Sequence, residues 1–74
     1  MTLLAFAQAR ELLGFSERTI ECASDETPRG VLARIAPSLD PVGFRVALDY
    51  EYCGWDDAVG EAREMALIPP VSGG

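Results

Sequence analysis

The chain has 74 residues, with twelve carboxylates against six arginines and neither lysine nor histidine, for a net charge of −6. That length makes one domain burying only about 60% of its unfolded surface, and 49% hydrophobic residues suffice for a core and argue against wholesale disorder. The acidic balance works against non-specific nucleic-acid binding, which relies on cations to release counterions, and the missing histidine removes the commonest general base and metal ligand.

Residues 2–7 are short and apolar and read as a strand buried on both faces, in the middle of a sheet. Gln8–Leu13 is a run of helix formers closed by Gly14, with Leu12 and Leu13 expected against the sheet and Arg10 and Glu11 in solvent. Residues 16–22 read as a second strand whose charged outer face suits an exposed edge, Ile20 and Cys22 sharing the other face. Thr27-Pro28 is a helix start, the threonine capping orphan amides and the proline fitting the first helical position. Val31, Leu32, Ile35 and Ala36 then fall on one stripe, Arg29 and Arg34 are placed outward toward the later, negative end, and Pro37 stops the helix.

Residues 38–43 read as loop, and residues 44–49 alternate with period two. Residues 50–53 either continue that strand or turn into a fourth one. Asp56-Asp57 is expected to cap a turn or one-turn helix rather than serve as an acid/base or metal pair, with no third ligand nearby, and Trp55 to lid the small core. Residues 63–68 form the last strand, apolar enough to lie beside the first. Cys22 and Cys53 are too few for a zinc set and are expected as reduced, half-buried strand residues, so any sulfur handled by this chain would not be carried on cysteine. No apolar run approaches the ~18 residues of a membrane span, and residues 1–7 lack the basic stretch of a signal peptide, so the cytoplasm is the expected location.

The end of the sequence carries the most specific signal. Ala66-Leu67-Ile68 leads into Pro69-Pro70, which cannot extend a ladder, and then into Val71-Ser72-Gly73-Gly74. The expected division is residues 1–68 as the domain and 69–74 as a tail, stiffened by its prolines and reaching roughly 20 Å when extended at about 3.1–3.6 Å per residue. Two terminal glycines pass through a channel too narrow for side chains, and an activated acyl group on Gly74 has no stereocentre to lose. Such an end suits adenylation of its carboxylate followed by attack of a sulfur nucleophile. Ser-Gly-Gly is also common linker chemistry, but a linker is not usually preceded by an apolar strand and two prolines.

The terminal block from Glu64 to Gly74, together with Ala5-Phe6-Ala7-Gln8-Ala9-Arg10-Glu11-Leu12-Leu13-Gly14, the strand around Arg45 to Tyr52 and the Trp55-Asp56 turn, resembles the molybdopterin synthase small-subunit family of MoaD-like sulfur carriers. The resemblance implies an α+β domain of the β-grasp (ubiquitin-like) fold: a mixed four- to five-stranded sheet, helices packed on one face, first and last strands central and parallel, and an extended C-terminal tail. It also implies a function. An E1-like enzyme using ATP would adenylate Gly74, a sulfurtransferase system would make its thiocarboxylate, and residues 69–74 would insert into a large synthase subunit to deliver sulfur to cyclic pyranopterin monophosphate. A two-plus-two heterotetramer follows from the same resemblance, with catalytic side chains on the large subunit and no cofactor, metal, nucleic acid or membrane bound by this chain. Leu67, Ile68 and Val71 are expected to make the apolar contact with the partner, acidic side chains steering its approach.

Three features depart from the family pattern. Ala62-Arg63-Glu64-Met65 stands where Gly-Asp-Glu-Val is frequent, leaving Gly60 to supply a positive φ; Asp49 stands at a usual asparagine; and Leu67-Ile68 replaces an aromatic pair. A thiazole-synthesis sulfur carrier and a ubiquitin-like protein modifier share the Gly-Gly end and remain alternatives at this stage, as does an interaction domain with an inert tail.

Overall fold

The computed structural model describes residues 1–70. Seven elements follow in chain order: β1 (Thr2–Ala5), α1 (Gln8–Leu13), β2 (Glu17–Thr19), α2 (Pro28–Ile35), β3 (Arg45–Leu48), β4 (Glu51–Cys53) and β5 (Glu64–Ile68). They build one five-stranded sheet in the order β2-β1-β5-β3-β4. The last strand therefore lies at the centre, parallel to β1 and antiparallel to β3, as the β-grasp resemblance implied.

Alternation along the central strands explains the layering. Leu3 and Ala5 of β1, Val46 of β3, and Met65 and Leu67 of β5 are all buried, and they meet Val31 and Leu32 of α2 and Ala9 of α1. The residues of the other parity in β1 and β5 stay half-buried, which corrects the expectation that the first strand is covered on both sides. The strand also ends sooner, at Ala5, because Ala7 takes a positive φ of 48° and swings the chain into α1. That helix ends at Gly14 in the left-handed conformation, as read, but its sheet-facing residues are Ala9 and, half-buried, Leu13; Leu12 is 56% exposed. Ala9 and Leu13 are four apart and share a face, and six residues give no room for a second buried row.

The start of α2 follows its sequence signals: the Thr27 hydroxyl accepts a hydrogen bond from the Gly30 amide at 3.1 Å and Pro28 occupies the first turn. Arg34 sits in the last turn, but Arg29 lies in the first, against the helix dipole, and Asp56 supplies the compensating charge with 2.9 Å from Arg29 Nε to Oδ1. The second strand covers only Glu17–Thr19, all three exposed at the sheet edge, and residues 50–53 do turn back as β4.

That turn does more than reverse the chain. Asp49 and Tyr50 both have positive φ, a conformation that Asp tolerates better than most residues. The Asp49 carboxylate oxygen Oδ1 accepts from the amides of Arg63 and Glu64, each at 3.0 Å, while the Asp49 amide donates to the Glu64 carbonyl. On the far side Thr2 N donates to the Arg63 carbonyl at 2.8 Å, so the first residues of β5 are fixed from both neighbours. Gly60, at φ 58°, provides the positive φ ahead of this strand that the sequence left to it. Replacing Asp49 by Ala removes an acceptor for two backbone amides and is expected to cost about 1–3 kcal/mol in urea denaturation. Asp49→Asn, which keeps the oxygen and the tolerance of positive φ, should recover most of that loss.

Candidate functional site

The functional candidate is the place where β5 leaves the sheet. Its ladder with β3 closes at the pair Arg45 and Ile68, after which Pro69 is half-buried and Pro70 exposed. Pro70 lies beside Gly43: a Cβ built on that glycine would sit 3.6 Å from Pro70 Cβ. Gly43 itself has φ 86°, a conformation that favours glycine, so the turn after Pro41 is shaped for a residue without a side chain where the outgoing chain passes. Of the residues read from sequence as the reactive end, Gly74, Gly73, Ser72 and Val71 lie outside the described residues; Pro69 and Pro70 stand at the root.

The two partner-contact residues separate. Leu67 is 1% exposed, turned into the core with Ala5, Ala9 and Leu32, and is closed to any partner, which corrects its expected exposure. Ile68, of opposite parity, lines a groove of about 260 Å³ on the helix-free face of the sheet. Ala47 and Ala66, cross-strand neighbours, lie in this groove among the bulkier Leu4, Phe6, Tyr52 and Ile68. Phe6 is 50% and Tyr52 60% exposed, and the Arg45 guanidinium lies 4.1 Å from the Tyr52 ring centroid. Asp49, Tyr50 and Glu64 supply the polar part of the lining, and the neighbouring Glu64 carboxylate, by hydrogen bonding and then by charge, pushes the Tyr50 hydroxyl upward. Sequence reasoning missed Phe6, Tyr50 and Tyr52. The available signal was parity: Leu4 with Phe6, and Ala66 with Ile68, alternate with the buried set.

The remaining polar candidates have structural partners. Asp57 Oδ2 accepts from the Gly54 amide at 2.7 Å, so it closes the turn before it, and Asp56 pairs with Arg29, where the sequence had the two aspartates capping the segment that follows. Asp56 is held below its ordinary value by the hydrogen bond from Arg29 and by the charge of that guanidinium. Glu26 is lowered as well, first by the Ala23 amide and then by Arg34. Burial and the nearby Asp57 push the Cys53 thiol up, away from the reactive thiolate, and the Cys53 sulfur lies 3.8 Å from the Val46 carbonyl. Trp55 is half-buried against both halves of the core and its indole N–H donates to the Phe44 carbonyl at 3.3 Å, a lid as expected. Among the described residues the surface thus offers apolar contact, backbone and charge.

Comparison with known proteins agrees with this geometry. The ThiS family model matches residues 3–74. The molybdopterin synthase sulfur carrier subunit of Arabidopsis thaliana is 39% identical over 77 aligned positions, covering 97% of this chain and 80% of that protein. The protein of the same name from Chlamydomonas reinhardtii is 38% identical, with 97% and 95% covered. Among solved structures, SAMP1 from Haloferax volcanii superposes with a TM-score of 0.77 at 24% identity, over 99% of this chain and 97% of that one. A putative molybdopterin converting factor subunit 1 from Pyrococcus furiosus gives 0.74 at 22% identity, with 95% of each chain covered. These two likenesses describe the shared fold.

Two measurements check the burial of Leu67 and the pairing of Asp56 with Arg29 and of Glu26 with Arg34. Leu67→Ala should cost about 2–5 kcal/mol of folding stability, as a core truncation does, where a surface contact would cost almost nothing. Because the folded-state pKa values of Asp56 and Glu26 lie below their ordinary 3.8 and 4.5, their contribution is complete above that range and is lost as pH falls through the lowered values. Thermal melting between pH 7 and pH 3 should therefore fall toward acid, and a Glu26→Gln, Asp56→Asn variant should fall less.

Proposed function

Because this chain belongs to the ThiS family, matching its model from residue 3 to residue 74, we propose that it is the sulfur carrier subunit of a molybdopterin synthase. The observation that carries the reading is the placement of β5: the strand preceding the Gly-Gly end is the central one, paired on both sides, with two prolines where it leaves. Both relatives named above carry the same description over nearly the whole chain.

In this reading the reacting group is the Gly74 carboxylate. An activating enzyme transfers AMP from ATP to it with loss of pyrophosphate, turning a poor electrophile into a good one. The outer sulfur of a sulfurtransferase persulfide then displaces AMP to give an acyl disulfide, and a thiol reductant cleaves its S–S bond, so that a C–O bond is exchanged for a C–S bond and one carboxylate oxygen becomes sulfur. The resulting thiocarboxylate attacks a carbon of the cyclic pyranopterin monophosphate, the new C–S bond replacing a C–O bond there whose oxygen leaves with its electron pair, and water then cleaves the acyl–sulfur bond, leaving sulfur on the pterin and returning Gly74 as carboxylate. A soft, already ionised nucleophile needs orientation more than a base, which fits a chain without histidine whose carboxylates Asp56 and Asp57 are engaged structurally.

The large synthase subunit supplies the site that the tail enters, two copies of each forming the assembly, in the cytoplasm where ATP is at hand. The helix-free groove with Phe6, Tyr52 and Ile68 gives an apolar contact for protein partners, and Asp49 and Glu64 give it an acidic edge that steers basic surfaces. Intact mass after incubation with ATP, the activating enzyme and a sulfur donor should rise by about 16 Da, and removal of Gly73-Gly74 should abolish the gain. A Cys22→Ala, Cys53→Ala variant should still show it. Persistent absence of the shift in the intact chain, or an adduct of this chain on other proteins as the sole product, would overturn the reading.

A further inference from the structure

We propose that the turn Pro41-Val42-Gly43-Phe44 is a second docking point for the large synthase subunit, with Val42 as its anchor; this rests on the carrier reading above. Gly74 is the fourth residue after Pro70, a reach of roughly 13 Å at about 3.3 Å each. A subunit that brings reacting groups to the Gly74 carbonyl must therefore come close to the tail root, and the root lies on this turn, with Pro70 against Gly43.

The surface there is built for contact. Val42 is 80% exposed, an apolar side chain beside a shallow recess of about 250 Å³ formed with Arg29, Pro41, Phe44 and Trp55. Its backbone is fixed from several directions. Val42 N donates to Asp40 Oδ1 at 3.0 Å, Phe44 N to the Pro41 carbonyl at 2.9 Å, and the Trp55 indole to the Phe44 carbonyl. Arg29, at the rim, is bound through its side chain to Asp56 and through its amide to the Trp55 carbonyl, so the one cation in the lining is neutralised where it stands. A rigid turn that presents an apolar side chain loses little entropy on docking, and a neutral rim suits an apolar socket in the partner. This surface is distinct from the sheet groove: no residue is shared between the two linings.

Titration calorimetry of the full-length carboxylate-form chain against its cognate large subunit tests the inference. Val42→Asp should raise Kd by about 30-fold or more, the size of an anchor residue, while Leu12→Gln, in a groove elsewhere lined by Leu13, Phe15 and Ile35, should leave Kd within about twofold. Both positions are exposed, and circular dichroism should show unchanged folding. Val42→Asp binding within about twofold of the parent, or an equal loss in both variants, overturns the docking point while the carrier reading stands. A parent chain that does not bind the large subunit at all overturns both.

Discussion

Everything in this molecule depends on β5 being held on both sides. Its carbonyls and amides are shared between a parallel ladder to β1 and an antiparallel ladder to β3, and its Met65 and Leu67 are 0% and 1% exposed in the core. A strand so fixed can neither slip by one residue, which would exchange its buried and open faces, nor fray at the end that leads to Pro69. The Asp49 carboxylate, accepting two amides at the strand's start, adds a polar restraint to the apolar one. The result is that the point where β5 gives way to Pro69 has its position set by the sheet.

The same arrangement divides the surface. Helices cover one face, where Ala9, Val31 and Leu32 meet the strands, and the other face keeps a groove with Ala47 and Ala66 among larger neighbours. A chain of this length cannot cover both faces of a five-stranded sheet, and an uncovered apolar face on so small a domain is a natural place for a protein partner. Charge is organised more locally: Arg29 and Arg34 are tied to Asp56 and Glu26, and Arg45 lies over Tyr52, so the excess of carboxylates dominates what a distant partner meets.

Local chemistry made much of this legible. Thr27-Pro28 marked the start of α2, Gly14 marked the end of α1, and the apolar run before Pro69 marked the last strand, because capping, positive φ and the missing proline amide act within a few residues. What sequence could not supply was facing. An apolar strand such as residues 2–5 reads alike whether one face or two are covered, and only the tertiary count of helices decides. Leu12 and Leu67 were misplaced for that reason: the first needed the angle at which a six-residue helix lies on the sheet, the second the register of β5 against β1. Arg29 was misread by simple position, and its pairing with Asp56, 27 residues away, is a long-range fact that no local window contains.

Parallel pairing of β1 with β5 joins Thr2 to Glu64, nearly the two ends of the described chain. Contacts so distant in sequence form only after the costliest loop has closed, so the sheet has no centre until its last strand arrives. An unfinished polypeptide thus lacks the platform, and one that later unfolds loses it at a stroke. The placement of the strand that leads to Pro69 is in this way tied to completion of the whole fold, a condition that incomplete or damaged copies fail without any separate inspection.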